Sequence, residues 1–563
     1  MFCFLQVFLS FFSSLLISLA IPNELFKIGC PLFALFALVP LYIAISRSQS
    51  YKEAFWLSFL HGGLVHLFSS FWLKNFQGMA LFTLGASLLG TAFIEGIIGW
   101  FLFFPFSQKN RVLPGIFILI KIFWFTGVYV VYEWCKSTGF LAYPWGTLSM
   151  TALSWPFFMQ IADITGQYGV TFIFALFSSV VAHGILLVNE HKKILNLKSC
   201  VFSYKLAAKT FFILFGLTAI YGFYQYNKPR FPVKHINTVM VQQDMDTYRS
   251  NEKDAIEVSQ FLTDEGIKEF SSNHKKTDLV VWSEGILNRR WPDSYGYYLT
   301  HPEKKPLIKY IKEKKVPFII GGAMILDREN HKFSNAALLF NKNGELAGAY
   351  SKLHLVPFAE AIPFVEYEPV RNFIKKIAGF SYGWTAGTKN TVFEIPVSSP
   401  KQNLDMEIIS LEKRQPEKTS VIVSAPICFD DAFGHVFRGL FSAGTELFMN
   451  ITNDSWSKTQ SAEYQHLAVA AYRAIEFRTT LARCTNSGVT TVISPSGKVI
   501  SSLPLFEPAH LSISIPVYGR QVTVASQFGD WLPHLLIISI ASFLFFCAKS
   551  KEFYCQSRFS VLL

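Results

Sequence analysis

A thiol, a carboxylate and an ammonium group, each next to an apolar run, are the side chains in this sequence best suited to chemistry. Cys428 follows Val421-Ile422-Val423-Ser424-Ala425-Pro426-Ile427 and precedes Phe429-Asp430-Asp431 and a helical pattern. A thiol at such a strand-to-helix turn would meet the N–H groups of the helix's first turn, which stabilise thiolate and lower its pKa. A buried, inert cysteine is the plain alternative. Glu284 ends Leu279-Val280-Val281-Trp282-Ser283. A carboxylate there is partly desolvated and therefore more basic, as a general base requires. Lys352 stands in Tyr350-Ser351-Lys352-Leu353-His354-Leu355-Val356-Pro357-Phe358-Ala359-Glu360, where its cation could face a developing tetrahedral oxyanion. Taken singly, a solvated strand-end glutamate and a surface lysine are the commoner readings.

The elements that would carry these residues are short strands interleaved with amphipathic helices. Strand patterns fall at 238–242, 279–283, 317–321, 336–340, 391–395, 421–427, 446–450, 490–493 and 511–515, and helical patterns near 252–271, 303–314, 433–442 and 460–483. That alternation predicts α/β layers. Lys342-Asn343-Gly344 and Pro495-Ser496-Gly497 mark hairpin turns. Residues 398–419, rich in Ser, Lys, Glu and Pro, read as an exposed insertion.

Around this stretch the chain is far more apolar. It is 51% hydrophobic and only 16% charged, which excludes an ordinary soluble protein and points to the membrane. Runs long enough to span a bilayer lie near 2–21, 28–46, 54–72, 80–105, 115–134, 164–188, 208–226 and 529–548, eight in all. The first lacks a basic leader and is followed by further spans, so it reads as an uncleaved helix. Segment 137–163, with Tyr143, Pro144 and Trp145, reads as a buried or interfacial connection.

With the N-terminus in the cytoplasm, the inner loops and tail collect Arg47, Lys52, Lys109, Arg111, Lys192, Lys193, Lys198, Lys205, Lys209, Lys549, Lys551 and Arg558. The short outer loops hold only Lys27, Lys74 and Lys136. This asymmetry places residues 228–528 on the outer face and both termini inside. It also accounts for most of the net charge of +12 without a nucleic-acid partner. Within the spans, Glu95 is either functional or engaged in a bundle-facing hydrogen bond, and Lys121 would snorkel. The eight cysteines have neither close pairs nor metal-ligand spacing, so no disulfide framework, zinc site or other metal centre is expected.

The ordered set Trp282-Ser283-Glu284, Lys352 to Glu360, Ile427-Cys428-Phe429-Asp430 and Asn453-Asp454-Ser455-Trp456 resembles the carbon–nitrogen hydrolase (nitrilase) superfamily, which uses a Glu-Lys-Cys triad. Set among membrane spans, and with Asp163-Ile164-Thr165-Gly166-Gln167-Tyr168-Gly169 and Arg473-Ala474-Ile475-Glu476, the chain resembles the superfamily's membrane branch, the apolipoprotein N-acyltransferases, over nearly its whole length.

The resemblance implies a nitrilase-like αββα sandwich at 229–520, inserted between a seven-span bundle at 1–228 and a final helix and cytoplasmic tail at 521–563. It implies Glu284, Lys352 and Cys428 as catalytic residues, with Glu360, Phe429, Asp430, Asn453 and Trp456 supporting them, and no cofactor. It implies a monomer of the bacterial cytoplasmic (inner) membrane that takes an acyl chain from a phospholipid and passes it, through a Cys thioester, to the α-amino group of a diacylglyceryl-cysteine apolipoprotein. The catalytic domain would face the periplasm. Phe358, Ile362, Phe364, Phe373 and Phe380 would line the lipid's way in, or belong to the core of a chain with 57 Phe.

Two departures stand out. Ser283 replaces the family's usual Pro, and Phe429-Asp430 replaces Tyr-Glu. An aromatic expected shortly after the first strand has no clear match, Tyr248 being nearby and Asn251 at the aligned position. A membrane-tethered amidase with the same triad is the nearest rival, and a transporter or lipid sensor with a dead catalytic domain is a more distant one.

Overall fold

Strands that are apolar on both faces must be covered on both sides. Residues 225–527 meet this requirement with two sheets and flanking helices. The structure, a computed structural model, describes residues 4–76, 80–107, 114–190, 197–246, 248–362, 364–365, 367–378, 383–398 and 420–559. The chain forms two units, one of residues 1–71, 84–224 and 528–563, the other of 72–83 and 225–527. Trp72–Thr83, which falls among the spans in the sequence, thus belongs with the second unit.

In the second unit the strands are β1 (Lys234–Gln242), β2 (Leu279–Trp282), β3 (Leu287–Trp291), β4 (Phe318–Asp327), β5 (Lys332–Phe340), β6 (Leu346–Ser351), β7 (Phe393–Pro396), β8 (Ser420–Ser424), β9 (Leu447–Thr452), β10 (Thr480–Thr485), β11 (Thr491–Ile493), β12 (Val499–Ser502) and β13 (Ala509–Val517). One sheet runs β13-β1-β2-β4-β5-β6, with β3 beside β4; the other runs β12-β11-β10-β9-β8-β7. The pairs β1–β2, β2–β4, β8–β9 and β9–β10 are parallel. Such pairs need crossovers, and the helices Glu252–Ser272, Leu307–Lys314, Gly434–Ser442 and Gln460–Glu476 lie in those connections.

The sheets face each other where Cys484 of β10 donates to the carbonyls of Val241 and Val281, at 3.3 and 3.4 Å. Outside the first sheet, Ile256, Leu262 and Phe270 of the helix Glu252–Ser272 pack on Val239, Val241, Val280 and Trp282. The layers are therefore helix, sheet, sheet, helix, the αββα arrangement expected.

Strands β3, β6, β10 and β12 escape the sequence pattern. The residues Asn288, Arg289 and Arg290 of β3 are exposed, and β6 is built largely of small residues, so neither gives an apolar run. The helix expected to 483 stops at Glu476, because Arg478 turns left-handed (φ +46°) and the chain re-enters the sheet as β10. The insertion at 398–419 lies, Ser398 apart, outside the described residues.

In the first unit a helix occupies each of the eight apolar runs, the second being broken at Leu38 into Pro31–Ala37 and Val39–Ser46. Among the described residues five helices are long and apolar enough to cross a membrane: Thr83–Ser107, Gly115–Lys136, Tyr168–Asn189, Leu197–Asn227 and Trp531–Lys549. Glu95 is engaged in the bundle. His61 Nδ1 lies 2.5 Å from its Oε1, and the other ring nitrogen lies 3.1 Å from the Ser13 hydroxyl, which donates to the Ala37 carbonyl at 2.6 Å. These contacts tie four helices where no water can satisfy them. Gly62 leaves the space they need, since a Cβ there would come within 2.4 Å of Glu95 Oε2. Lys121 lies 5.3 Å from the centres of the Phe106 and Phe117 rings. Segment 137–163 is a mostly buried run of short helical turns, with Tyr143 stacked on Trp145 at 5.4 Å.

Phe318, fully buried against Trp282 and Tyr310, is expected to hold the first sheet to its helices. Phe318→Ala should cost about 3–5 kcal/mol and lower the thermal midpoint of the detergent-solubilised protein. Phe261→Ala, at a ring 63% exposed, should change stability by less than about 0.5 kcal/mol.

Candidate active site

Glu284, Lys352 and Cys428 each stand just beyond the C-terminal end of a strand, β2, β6 and β8 respectively. The turn after β2 is held against β4: the Gly321 N–H donates to the Ser283 carbonyl at 3.2 Å, and a Cβ on Gly321 would lie 2.4 Å from that oxygen. Only glycine permits this approach. It leaves Glu284 buried, with its carboxylate accepting from the Asn335 amide at 2.7 Å and from the Asn453 backbone N–H at 2.8 Å.

Lys352 is 1% exposed. Its Nζ lies 2.8 Å from Glu360 Oε2 and 3.5 Å from Glu284 Oε1. Asn335 also donates to Glu360, at 3.0 Å, and the Val356 N–H does so at 2.9 Å. One ammonium and one amide thus hold a buried and a partly buried carboxylate together. Burial raises the Glu284 pKa, with Lys352 opposing and Glu360 reinforcing the shift. Lys352 itself is held well above its ordinary value, because the two glutamates outweigh the cost of burying its charge.

Cys428 opens a five-residue 3-10 turn, Cys428–Ala432, with its own backbone left-handed at φ +47°. A non-glycine residue in that region carries strain and marks a site that the surroundings hold in place. The thiol pKa is pushed well above its usual value by burial and then by Glu284, while Lys352 pulls it down. The expectation that a helix N-terminus lowers it is overturned: desolvation and carboxylate charge outweigh the N–H groups of a single short turn. At neutral pH the sulfur keeps its proton, so attack requires a base. Glu284, made more basic by burial, is the one whose charge acts most strongly on that thiol.

The supporting residues divide. Asp430 is fully buried and accepts from Tyr350 Oη at 2.8 Å, His354 N at 2.7 Å and Ile427 N at 3.1 Å, clasping the cysteine turn to the β6 end. Burial raises its pKa to about 6. Phe429 packs on Phe433 and His354, with ring centres 4.9 and 5.6 Å apart. Asn453 reaches Glu284 through its backbone, while its side-chain oxygen accepts from Ser455 and Asn486. Trp456 faces Trp72 and Phe76 at 5.5 and 5.4 Å, and Phe76 meets Tyr248. Ser283 in place of Pro donates to Gln243 Oε1 at 3.0 Å and so satisfies its own hydroxyl.

Asn335 was invisible to motif reading, although a lone amide within Ala336-Ala337-Leu338-Leu339-Phe340's strand is its one sequence signal. Of the apolar residues near 360–385, Ile362 is buried, Phe358 partly buried and Phe364 65% exposed beside exposed Tyr367. Phe380 and the Phe373 side chain lie outside the described residues. Among the described residues no three His, Cys, Asp or Glu side chains are arranged to hold a metal ion.

Residues 13–180 match the family model for the apolipoprotein N-acyltransferase N-terminal domain, and 262–518 that for carbon-nitrogen hydrolase. The chain is 38% identical to apolipoprotein N-acyltransferase 2 of Treponema denticola, over 97% of this chain and 98% of that one. It is 31% identical to the apolipoprotein N-acyltransferase of Borreliella burgdorferi, over 94% and 93%. Among solved structures, a carbon-nitrogen hydrolase from Helicobacter pylori is similar at 16% identity and a TM-score of 0.32, over 54% of this chain and 92% of that one.

Removing the ammonium should leave two neighbouring carboxylates, one buried and one partly buried, without their shared cation. Lys352→Met is expected to destabilise the protein by about 3–5 kcal/mol and to slow alkylation of Cys428 by iodoacetamide. Thermal unfolding and peptide mass mapping of the alkylated cysteine read the two effects, and unchanged alkylation would separate Lys352 from the thiol.

Proposed function

Because this chain belongs to the apolipoprotein N-acyltransferase family, we propose that Cys428 carries the acyl group as a thioester between a phospholipid and a lipoprotein's N-terminal amine. The protein is an N-acyltransferase of lipoprotein maturation. Its several apolar helices and its family make it an inner-membrane protein. The finer reading rests on one observation above all: a buried cation within 4 Å of two carboxylates, acting electrostatically on a cysteine at a strained turn.

In the first half-reaction Glu284 takes the Cys428 proton and the sulfur attacks the ester carbonyl of a phospholipid. Lys352 and neighbouring N–H groups stabilise the tetrahedral oxyanion. The C–O bond breaks, and the lysophospholipid leaves with the proton from Glu284. In the second, the α-amino group of a diacylglyceryl-cysteine attacks the thioester and gives a proton to Glu284. The C–S bond breaks, the amide forms and the thiolate is protonated again. Glu360 keeps Lys352 oriented throughout.

Both substrates are lipids, and withdrawing their chains into water would cost about 0.8 kcal/mol per methylene, so the reaction belongs at a bilayer surface. The distribution of Lys and Arg among the loops supports a periplasmic position for residues 229–520 and cytoplasmic termini. The exposed Phe364 and Tyr367, in the loop that carries Glu360, suit contact with an acyl chain.

Incubation of the native protein with phospholipid, followed by intact mass spectrometry, should give a hydroxylamine-labile acyl adduct that Cys428→Ala lacks. Release of free carboxylate from a soluble amide, without any adduct from phospholipid, would instead favour a tethered amidase. Asn335 lowers the Glu284 pKa by donating to its carboxylate. Glu284 must be ionised to act as base, so Asn335→Leu should move the acidic limb of the kcat/KM profile to higher pH.

A further inference from the structure

A second set of buried charges in the catalytic unit takes no part in the steps above. His466, on the helix Gln460–Glu476, places one ring nitrogen, Nε2, 2.8 Å from Asp431 Oδ1 and the other, Nδ1, 3.0 Å from both oxygens of Asp454. Arg483 of β10, fully buried, donates from Nε to Asp431 Oδ2 at 3.1 Å and brings a terminal nitrogen within 3.9 Å of Asp454. Glu463, one helical turn before His466, accepts from the Ser457 hydroxyl at 2.6 Å.

The charges balance. Burial and then Asp454 push the Glu463 carboxyl well above its ordinary pKa. Burial opposes the charge on His466, but Asp431 and Asp454 outweigh it and raise the pKa to about 10. Imidazolium and guanidinium thus face two carboxylates, and both imidazolium nitrogens donate. Gly488 gives the cluster room, since a Cβ there would lie 2.3 Å from Glu463 Oε2.

What matters is where the two ends of this imidazolium attach. Asp431 belongs to the turn that begins at Cys428, and Asp454 follows Asn453, whose N–H holds the Glu284 carboxylate. One ring, on a rigid helix, joins the turn bearing the nucleophile to the loop holding the base. We propose that His466 is a positioning residue for acyl transfer, a strut that sets the Cys428 thiol relative to the Glu284 carboxylate without touching either. The inference rests on the roles given above to those two residues.

In the full-length enzyme in phospholipid micelles, His466→Gln can donate to one aspartate but not bridge both. The expected result is a fall in the rate of Cys428 acylation of about tenfold to a hundredfold, as misplacement of a reacting pair produces, with KM for phospholipid unchanged. Alkylation of Cys428 by iodoacetamide, which needs no lipid, should fall in parallel and shift its pH dependence. Val469→Ala, buried on the same helix, should lower the thermal midpoint yet leave both rates per folded molecule unchanged.

Should His466→Gln fail to accumulate, Asp454→Asn, which keeps an acceptor but loses the charge, should show the same loss in smaller measure. Native acylation and alkylation rates in the folded variant overturn the strut. An absence of acyl adduct on the native enzyme, with alkylation still sensitive to His466, would remove the acyl-transfer reading and leave the strut standing.

Discussion

An ammonium group with almost no contact with water, 2.8 Å from one carboxylate and 3.5 Å from another, is the constraint around which the catalytic unit is organised. Burying charge is expensive unless every partner is in place. The partners here are numerous: Asn335 spans both glutamates, the N–H of Asn453 caps one and the N–H of Val356 caps the other. Each comes from a different strand or loop. The cluster is therefore satisfied only when β2, β5, β6 and the 453–456 loop are all correctly placed, and the fold and the site stabilise each other.

The same economy of contacts explains how the departures from the family pattern are absorbed. Asp430 is shorter than the usual glutamate, yet it collects three donors, including Tyr350 from β6. The acid at this position acts as a clasp on the cysteine turn, which needs only carboxylate oxygens in reach. Phe429 lacks a hydroxyl and packs its ring among Phe433 and His354, a role that needs no polar group. Serine at 283 brings a hydroxyl into a buried place, and Gln243 accepts from it. The polar atoms that Asp430 and Ser283 bring into these buried places thus each find a partner of their own.

The membrane unit solves a related problem under stricter terms. Glu95 is as buried as Lys352, and in a bilayer its hydrogen bonds cannot be replaced by water. Its link through His61 to Ser13 and on to the Ala37 carbonyl spends a carboxylate on holding helices together, with Gly62 making the space.

Much of this was legible in the linear sequence because the signals are local. Apolar runs of bilayer length, the positions of Lys and Arg around them, the alternation of strand and helix patterns, and the order of Glu284, Lys352 and Cys428 all depend on near neighbours or on simple order. What escaped depends on approach across the sheets. β6 is held by pairing with β5 rather than by its own apolarity, and β10 follows a helix with no Pro or Gly to announce its end. Asn335 gains its role only when β5 lies beside β4 and β6, and His466 only when its helix brings Asp431 and Asp454 to either side of one ring. The thiol's pKa is the clearest case. Sequence context supplied helix N–H groups that would lower it, whereas the folded chain surrounds the sulfur with protein and carboxylates that raise it. Residue order determines which groups are available; the sign and size of their interactions follow from distance and desolvation, and only the tertiary structure sets those.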